Sequence, residues 1–150
     1  MKVGICDSDL DRIPISIAAG IDYVEMGVSS TLIPLEPNEA WKPIKGRIQK
    51  LGVKPEAWNL FFPRTVRITG PDVDWDLVQR YAATAIERAA SVGGKVMVVG
   101  SGGSRNVPEG FSWDEAWTQM VQAFKIIGAE AAKWDVVIAI EPLRPQESNI

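Results

Sequence analysis

The sequence predicts an α/β fold in which parallel strands alternate with helices along the chain. Two observations carry that expectation. Short runs rich in β-branched and aromatic residues recur between longer stretches whose apolar residues are spaced by three and four. The strand-like runs are also almost continuously apolar, as strands are when neither face meets water. The order is β-α-β-α-β-α-β-α-β, in a single domain over residues 1–150.

The first strand is expected over Lys2–Cys6 (KVGIC), followed by a helix from Asp9 to Gly20 that ends on a glycine suited to a helix terminus. Tyr23–Met26 (YVEM) is the second strand. From Asn38 to Leu51, Trp41, Ile44, Ile48 and Leu51 build one apolar face of a helix that Gly52 stops. Ala57–Phe62 (AWNLFF) is the third strand, closed by Pro63. Alternation places Trp58, Leu60 and Phe62 on one side of it, Asn59 and Phe61 on the other. Asp72 or Asp74 can cap a helix whose Val78, Ala82, Ala85, Ile86 and Ala89 fall on one stripe before Gly93-Gly94. Lys95–Val99 (KVMVV) is the fourth strand. Ser112 and Glu115 have the spacing of a capping box, opening a helix whose buried stripe is Trp117, Met120, Val121, Phe124, Ile127 and Ala131. Val136–Glu141 is the fifth strand.

Parallel strands in this order need right-handed helical crossovers, and two architectures supply them. A doubly wound open sheet is complete at five strands; a (β/α)8 barrel needs roughly 250 residues and would be a little over half built here. Both place chemistry at the carboxyl ends of the strands.

Composition narrows the chemistry. A net charge of -3 and the absence of a basic stripe argue against nucleic acid as a partner, and no apolar run is long enough to span a membrane. Small polar or anionic metabolites remain. A single cysteine, Cys6, excludes an internal disulfide, and the opening MKVGICDSD does not read as a secretory signal, so a cytoplasmic location is the expectation. There is no histidine, so any metal site or general base must come from carboxylates, amides, lysine or cysteine.

Among the loops, Gly100–Gly110 (GSGGSRNVPEG) reads first as a mobile substrate-facing loop with Arg105 as its cationic candidate, and second as a structural turn with Arg105 exposed and idle. It matches neither glycine-rich phosphate motif. Trp58, Leu60 and Phe62 read first as core packing, and an apolar wall against a sugar at Phe62 is the second reading. Glu25 is an acid inside an apolar strand and needs a partner or the rim of a site. Cys6 has no histidine to activate it. Glu141 is the sharpest case. Alternation sets Val137, Ala139 and Glu141 on one face and Val136, Ile138 and Ile140 on the other, so in a barrel Glu141 points into the mouth. A carboxylate there is paired, binds a metal or has its pKa raised; from the strand alone, a functional group and a structural ion pair stay open.

VVGSGGSRNVPEGFSWDEA, the helix after it and IAIEPLRPQESNI together resemble the xylose isomerase-like TIM-barrel superfamily, in particular the sugar phosphate isomerase/epimerase group with its ketose 3-epimerases. MKVGICDSD and GIDYVEMG extend the likeness towards the amino terminus, but the Glu-Pro-Leu-x-x-x-Glu pattern is its specific part. By that pattern the resemblance implies that Glu141 ligates a divalent metal, usually manganese with magnesium or cobalt as alternatives, and acts as one of two acid/base carboxylates. It implies that Glu147 contacts the substrate near its carbonyl end. Arg144 stands where family members usually have Asn. The family completes its site with an aspartate, a histidine and a second glutamate on later strands. The chain is then expected to be the first five strands and four helices of a barrel, inactive as an isolated monomer, self-associating as a homo-oligomer, with a sugar or sugar phosphate as ligand. An inosose dehydratase or hydroxypyruvate isomerase-like barrel is the nearest alternative, and a non-enzymatic flavodoxin-like binding module is the alternative of another class. Zinc endonucleases of the same superfamily take histidine ligands from this half of the barrel.

Overall fold

Five short strands lie side by side in one parallel sheet, in the order in which they occur in the chain. The structure, a computed structural model, describes residues 1–150. The strands are β1 (Gly4–Cys6), β2 (Tyr23–Gly27), β3 (Ala57–Asn59), β4 (Val96–Val99) and β5 (Val137–Ile140). The helices are α1 (Ile13–Ala18), α2 (Asn38–Gln49), α3 (Trp75–Ala90), α4 (Gly102–Arg105) and α5 (Trp113–Ala132), with a π-helical turn at Val28–Leu32. The strand order decides between the two architectures. A doubly wound sheet reverses direction at a switch point, whereas here each strand is laid beyond the last, as in the wall of a barrel. The flavodoxin-like alternative is thereby set aside.

One face of the sheet is dry. Val24, Met26, Trp58, Met97 and Val99 are buried beneath the helices, together with Val78, Ala82, Ala85, Ile86 and Ala89 of α3 and Ala123, Ile127 and Ala131 of α5. The opposite face carries Tyr23, Glu25, Ala57, Asn59, Val96, Val98 and Ala139, all half-buried, and the exposed Val137 and Glu141. Covering one face with helices and leaving the other as a concave wall is the layering of a barrel interior. No helix is long and apolar enough to cross a membrane.

Several sequence expectations need correction. The third strand stops at Asn59 because Leu60 takes a left-handed backbone, φ 50°. Alternation therefore fails beyond it: Leu60 is exposed, while Phe61 and Phe62 both turn inward onto Tyr81. The first helix is one short piece, since Asp9 spends its side chain on the backbone N–H groups of Asp11 and Arg12 and holds a turn there. Asp74 caps α3 as anticipated, accepting from Leu77 N–H at 2.9 Å. Ser112 caps α5 through Glu115 N–H, with no return bond from the Glu115 carboxylate. In α5 the stripe is rotated. Trp117 and Val121 are exposed, and Ala116, Met120, Ala123, Ile127 and Ala131 are buried, because small side chains allow α5 to pack closely on α3. The loop after β4 contains the short helix α4, which the sequence reading did not anticipate.

Candidate functional site

The carboxyl ends of the strands open into a cleft of about 620 Å³. Its floor is the concave face: Glu25 of β2, Asn59 of β3, Val98 of β4 and Glu141 immediately after β5. Its walls come from the loops after β3 and β4 and from the terminal segment, through Phe62, Arg64, Ser101, Gly102, Gly103, Leu143 and Glu147.

These loops hold one another by hydrogen bonds. Phe62 N–H donates to the Ser101 hydroxyl at 2.9 Å, Ile68 N–H to the Ser104 carbonyl at 3.1 Å, and the Thr69 hydroxyl to the Arg105 carbonyl at 2.7 Å. The terminal segment is tied to the β4 loop twice by Asn149, which accepts from Val107 N–H and donates to its carbonyl, both at 2.9 Å. A rim stitched in this way arrives at its ligand already shaped.

Glu141 extends β5 by one hydrogen bond, its N–H donating to the Val99 carbonyl at 3.2 Å. Its carboxylate lies over Gly100, where a Cβ would collide with it. No cation lies within ion-pair distance of that carboxylate, although the buried Arg105 behind it is near enough to feel its charge. Glu147 also lines the cleft, but Arg144 grips it with a fork, Nε to Oε2 and Nη2 to Oε1, each 3.1 Å. The guanidinium holds the Glu147 carboxyl below the usual carboxylate range. Both side chains are substantially exposed and screened by solvent, so a ligand can displace Arg144 at little cost. Phe62 presents an edge to the cleft while most of its ring packs on Phe61 and Tyr81.

Arg105 is a correction. It is 5% exposed and lies behind the site, where its guanidinium donates to the Glu141 carbonyl at 3.3 Å and the Ser148 hydroxyl at 3.4 Å. Its hydrogen bonds go to the Glu141 carbonyl and the Ser148 hydroxyl, so it anchors the terminal segment and does not line the cleft. The cation that does line it is Arg64, in the loop after β3 beyond Leu60. Asn59 also went unremarked as a site residue; its amide donates to the Cys6 thiol at 3.0 Å across the floor. Alternation had placed it opposite the buried Trp58, which was the available signal.

Metal binding can be tested against the donor set. A divalent cation takes several hard oxygen ligands at once. No three Cys, Asp or Glu side chains converge closely enough to hold one, and Glu141 offers a single carboxylate.

A family model for the xylose isomerase-like TIM barrel matches residues 15–150. The chain belongs to that family. Among solved structures, D-psicose 3-epimerase from Clostridium cellulolyticum H10, determined with D-tagatose, superposes with a TM-score of 0.77 at 15% identity, over 100% of this chain and 55% of that one. The 3-keto-D-glucoside 4-epimerase of E. coli matches with a TM-score of 0.71 at 18% identity, over 96% and 57%. An AP endonuclease of family 2 from Brucella melitensis gives 0.71 at 14%, over 97% and 57%. At these identities the likeness is one of fold, and the chain spans little more than half the length of each. No curated protein matches the sequence.

Proposed function

We propose that this chain provides the Glu141-bearing half of a carbohydrate isomerase or epimerase, acting by proton transfer at a carbon next to a ketose carbonyl. The observation that carries the reading is Glu141: an unpaired carboxylate at a strand's carboxyl end, opening into a cleft of about 620 Å³. Such a carboxylate can take a proton from carbon as the electron pair moves towards the carbonyl oxygen; returning it to the neighbouring carbon would isomerise the sugar, whereas epimerisation needs a second acid that delivers a proton to the opposite face. Asn59, Glu147, Phe62 and Leu143 line the cleft, where the first two would contact hydroxyl groups and the last two would pack against the carbon skeleton. A divalent cation, manganese first and magnesium or cobalt next, is the implied cofactor. This chain would supply Glu141 as one ligand to it. Nucleic acid fits less well, since three carboxylates, Glu25, Glu141 and Glu147, share the cleft with one arginine.

The test is a titration of the isotopically labelled chain with D-fructose and D-psicose, read by amide NMR and by deuterium exchange into the sugar. The expected result is millimolar binding that moves the Gly100–Gly103 amides, is weakened by Glu141→Gln, and gives no exchange with the monomer. Ketose-independent spectra would overturn the sugar reading. Turnover by a verified monomer would overturn the claim that the chain is half of the catalytic unit.

A further inference from the structure

We infer that Arg64 is the specificity residue of this cleft, selecting a carbohydrate that carries an oxyanion, a phosphate or a carboxylate, at the end remote from Glu141. The inference rests on the ketose reading above and names the substrate class.

The other arginines near the cleft are committed. Arg144 pairs with Glu147, Arg105 with the Glu141 carbonyl and Ser148, and Arg67 with the Asn106 carbonyl at 2.6 Å. Arg12 and Arg47 form ion pairs elsewhere, and Arg88 is buried among carbonyls. Only Arg64 and Arg80 have neither a hydrogen-bond acceptor nor a carboxylate within ion-pair range. Of these two, Arg64 alone lines the cleft.

Its position is held by packing. The Arg64 stem lies flat against the loop after β4, so close that a Cβ on Gly103 would run into its Cγ, Cδ and Nε. Glu141 lies in the same way over Gly100. The two charged groups thus stand on one short stretch of backbone, and three residues of chain separate the glycine Cα atoms by at most about 11 Å. That spacing lets one small molecule meet a carboxylate at its reacting carbon and a guanidinium at its far end. Charge also fixes its direction. An oxyanion brought to the floor would face Glu25 and Glu141, whereas at Arg64 it meets a planar fork matched to phosphate or carboxylate.

The experiment compares D-fructose, D-fructose 6-phosphate, a keto-hexuronate and inorganic phosphate against the chain, its Arg64→Gln variant and its Arg64→Lys variant, by amide NMR. The expected result is that an anionic sugar binds about ten- to a hundredfold more tightly than D-fructose. Arg64→Gln removes that gain and leaves D-fructose binding unchanged; Arg64→Lys keeps part of it. A gain confined to the 6-phosphate identifies a phosphate, and one shared with the uronate a carboxylate as well. Equal binding of neutral and anionic sugars, or a gain that survives Arg64→Gln, overturns the inference while leaving the ketose reading intact. Loss of D-fructose binding in Arg64→Gln assigns a structural role and overturns it too. Phosphate moving the Arg64 Nε–H resonance in a chain that no ketose touches upholds the anion site and removes the ketose reading.

Discussion

Asp7, directly after β1, shows how a single residue can set the acid limit of this protein. Its side chain is 4% exposed, and it accepts from Arg12 Nε at 2.6 Å and Nη2 at 2.7 Å and from Asp9 N–H at 3.0 Å. The Arg12 hydrogen bonds, ahead of the backbone bonds, hold its carboxyl at about 2. An unfolded aspartate titrates near 3.9, so the folded value is depressed. The stabilisation it confers is present above that unfolded value and lost as pH falls through the folded one. Urea midpoints of the wild type should therefore fall between about pH 4 and pH 2, and those of Asp7→Asn should fall less across the same window. Because Arg12 is exposed, the loss at neutral pH in Asp7→Asn is expected to be about 1 kcal/mol. Equal pH slopes in the two proteins would assign the acid sensitivity to other carboxylates.

At the level of elements, Arg88 joins α3 to the loop after β2. It is 4% exposed and has no carboxylate partner. Its guanidinium donates to the carbonyls of Leu32 at 2.9 Å, Ile33 at 2.7 Å and Glu36 at 2.8 Å, and to the Asn38 side chain at 3.0 Å. It also lies 5.7 Å from the centre of the Trp41 ring. Burial lowers its pKa, with the charge of Glu87 opposing. These bonds close the carbonyls left free where the π-helical turn ends on Ile33 in a left-handed conformation. Arg88→Met retains length but leaves those acceptors unpaired, and is expected to cost about 2–4 kcal/mol in chemical denaturation. A cost below about 1 kcal/mol would mean that water replaces the guanidinium there.

At the level of the whole molecule, the sheet has two unpaired edges, β1 and β5, and an open concave face. Val137 and Ile140 at the β5 edge are 61% and 62% exposed, and Trp117 and Val121 on α5 continue the apolar surface beside Ile140. Free strand edges next to apolar surface invite pairing with another chain. We expect concentration-dependent self-association in sedimentation velocity, reduced by the double substitution Val137→Lys and Ile140→Lys with far-ultraviolet circular dichroism unchanged. A wild-type chain that sediments as a monomer at high concentration would refute this expectation.

Much of this was legible in the sequence, for a definite physical reason. Apolar runs bounded by Gly and Pro, the cap at Asp74 and the stripe of alanines in α3 are local patterns, and local backbone preference with burial periodicity sufficed to place five strands and four main helices. Glu141 was legible too, because strand alternation assigns it a face and Pro142 ends the strand behind it. Other features depended on what the folded chain brings near. Leu60 in a left-handed conformation ends β3 early and sends Phe61 and Phe62 into the core, while packing against α3 decides which side of α5 is covered. The residues flanking Arg64, Arg88 and Arg105 in sequence do not show which of them will be buried. Only the tertiary structure buries Arg88 and Arg105 against carbonyls and polar side chains of distant segments and leaves Arg64 over Gly103 at the cleft, because a long side chain's partners are set by distant segments and not by its neighbours in the chain.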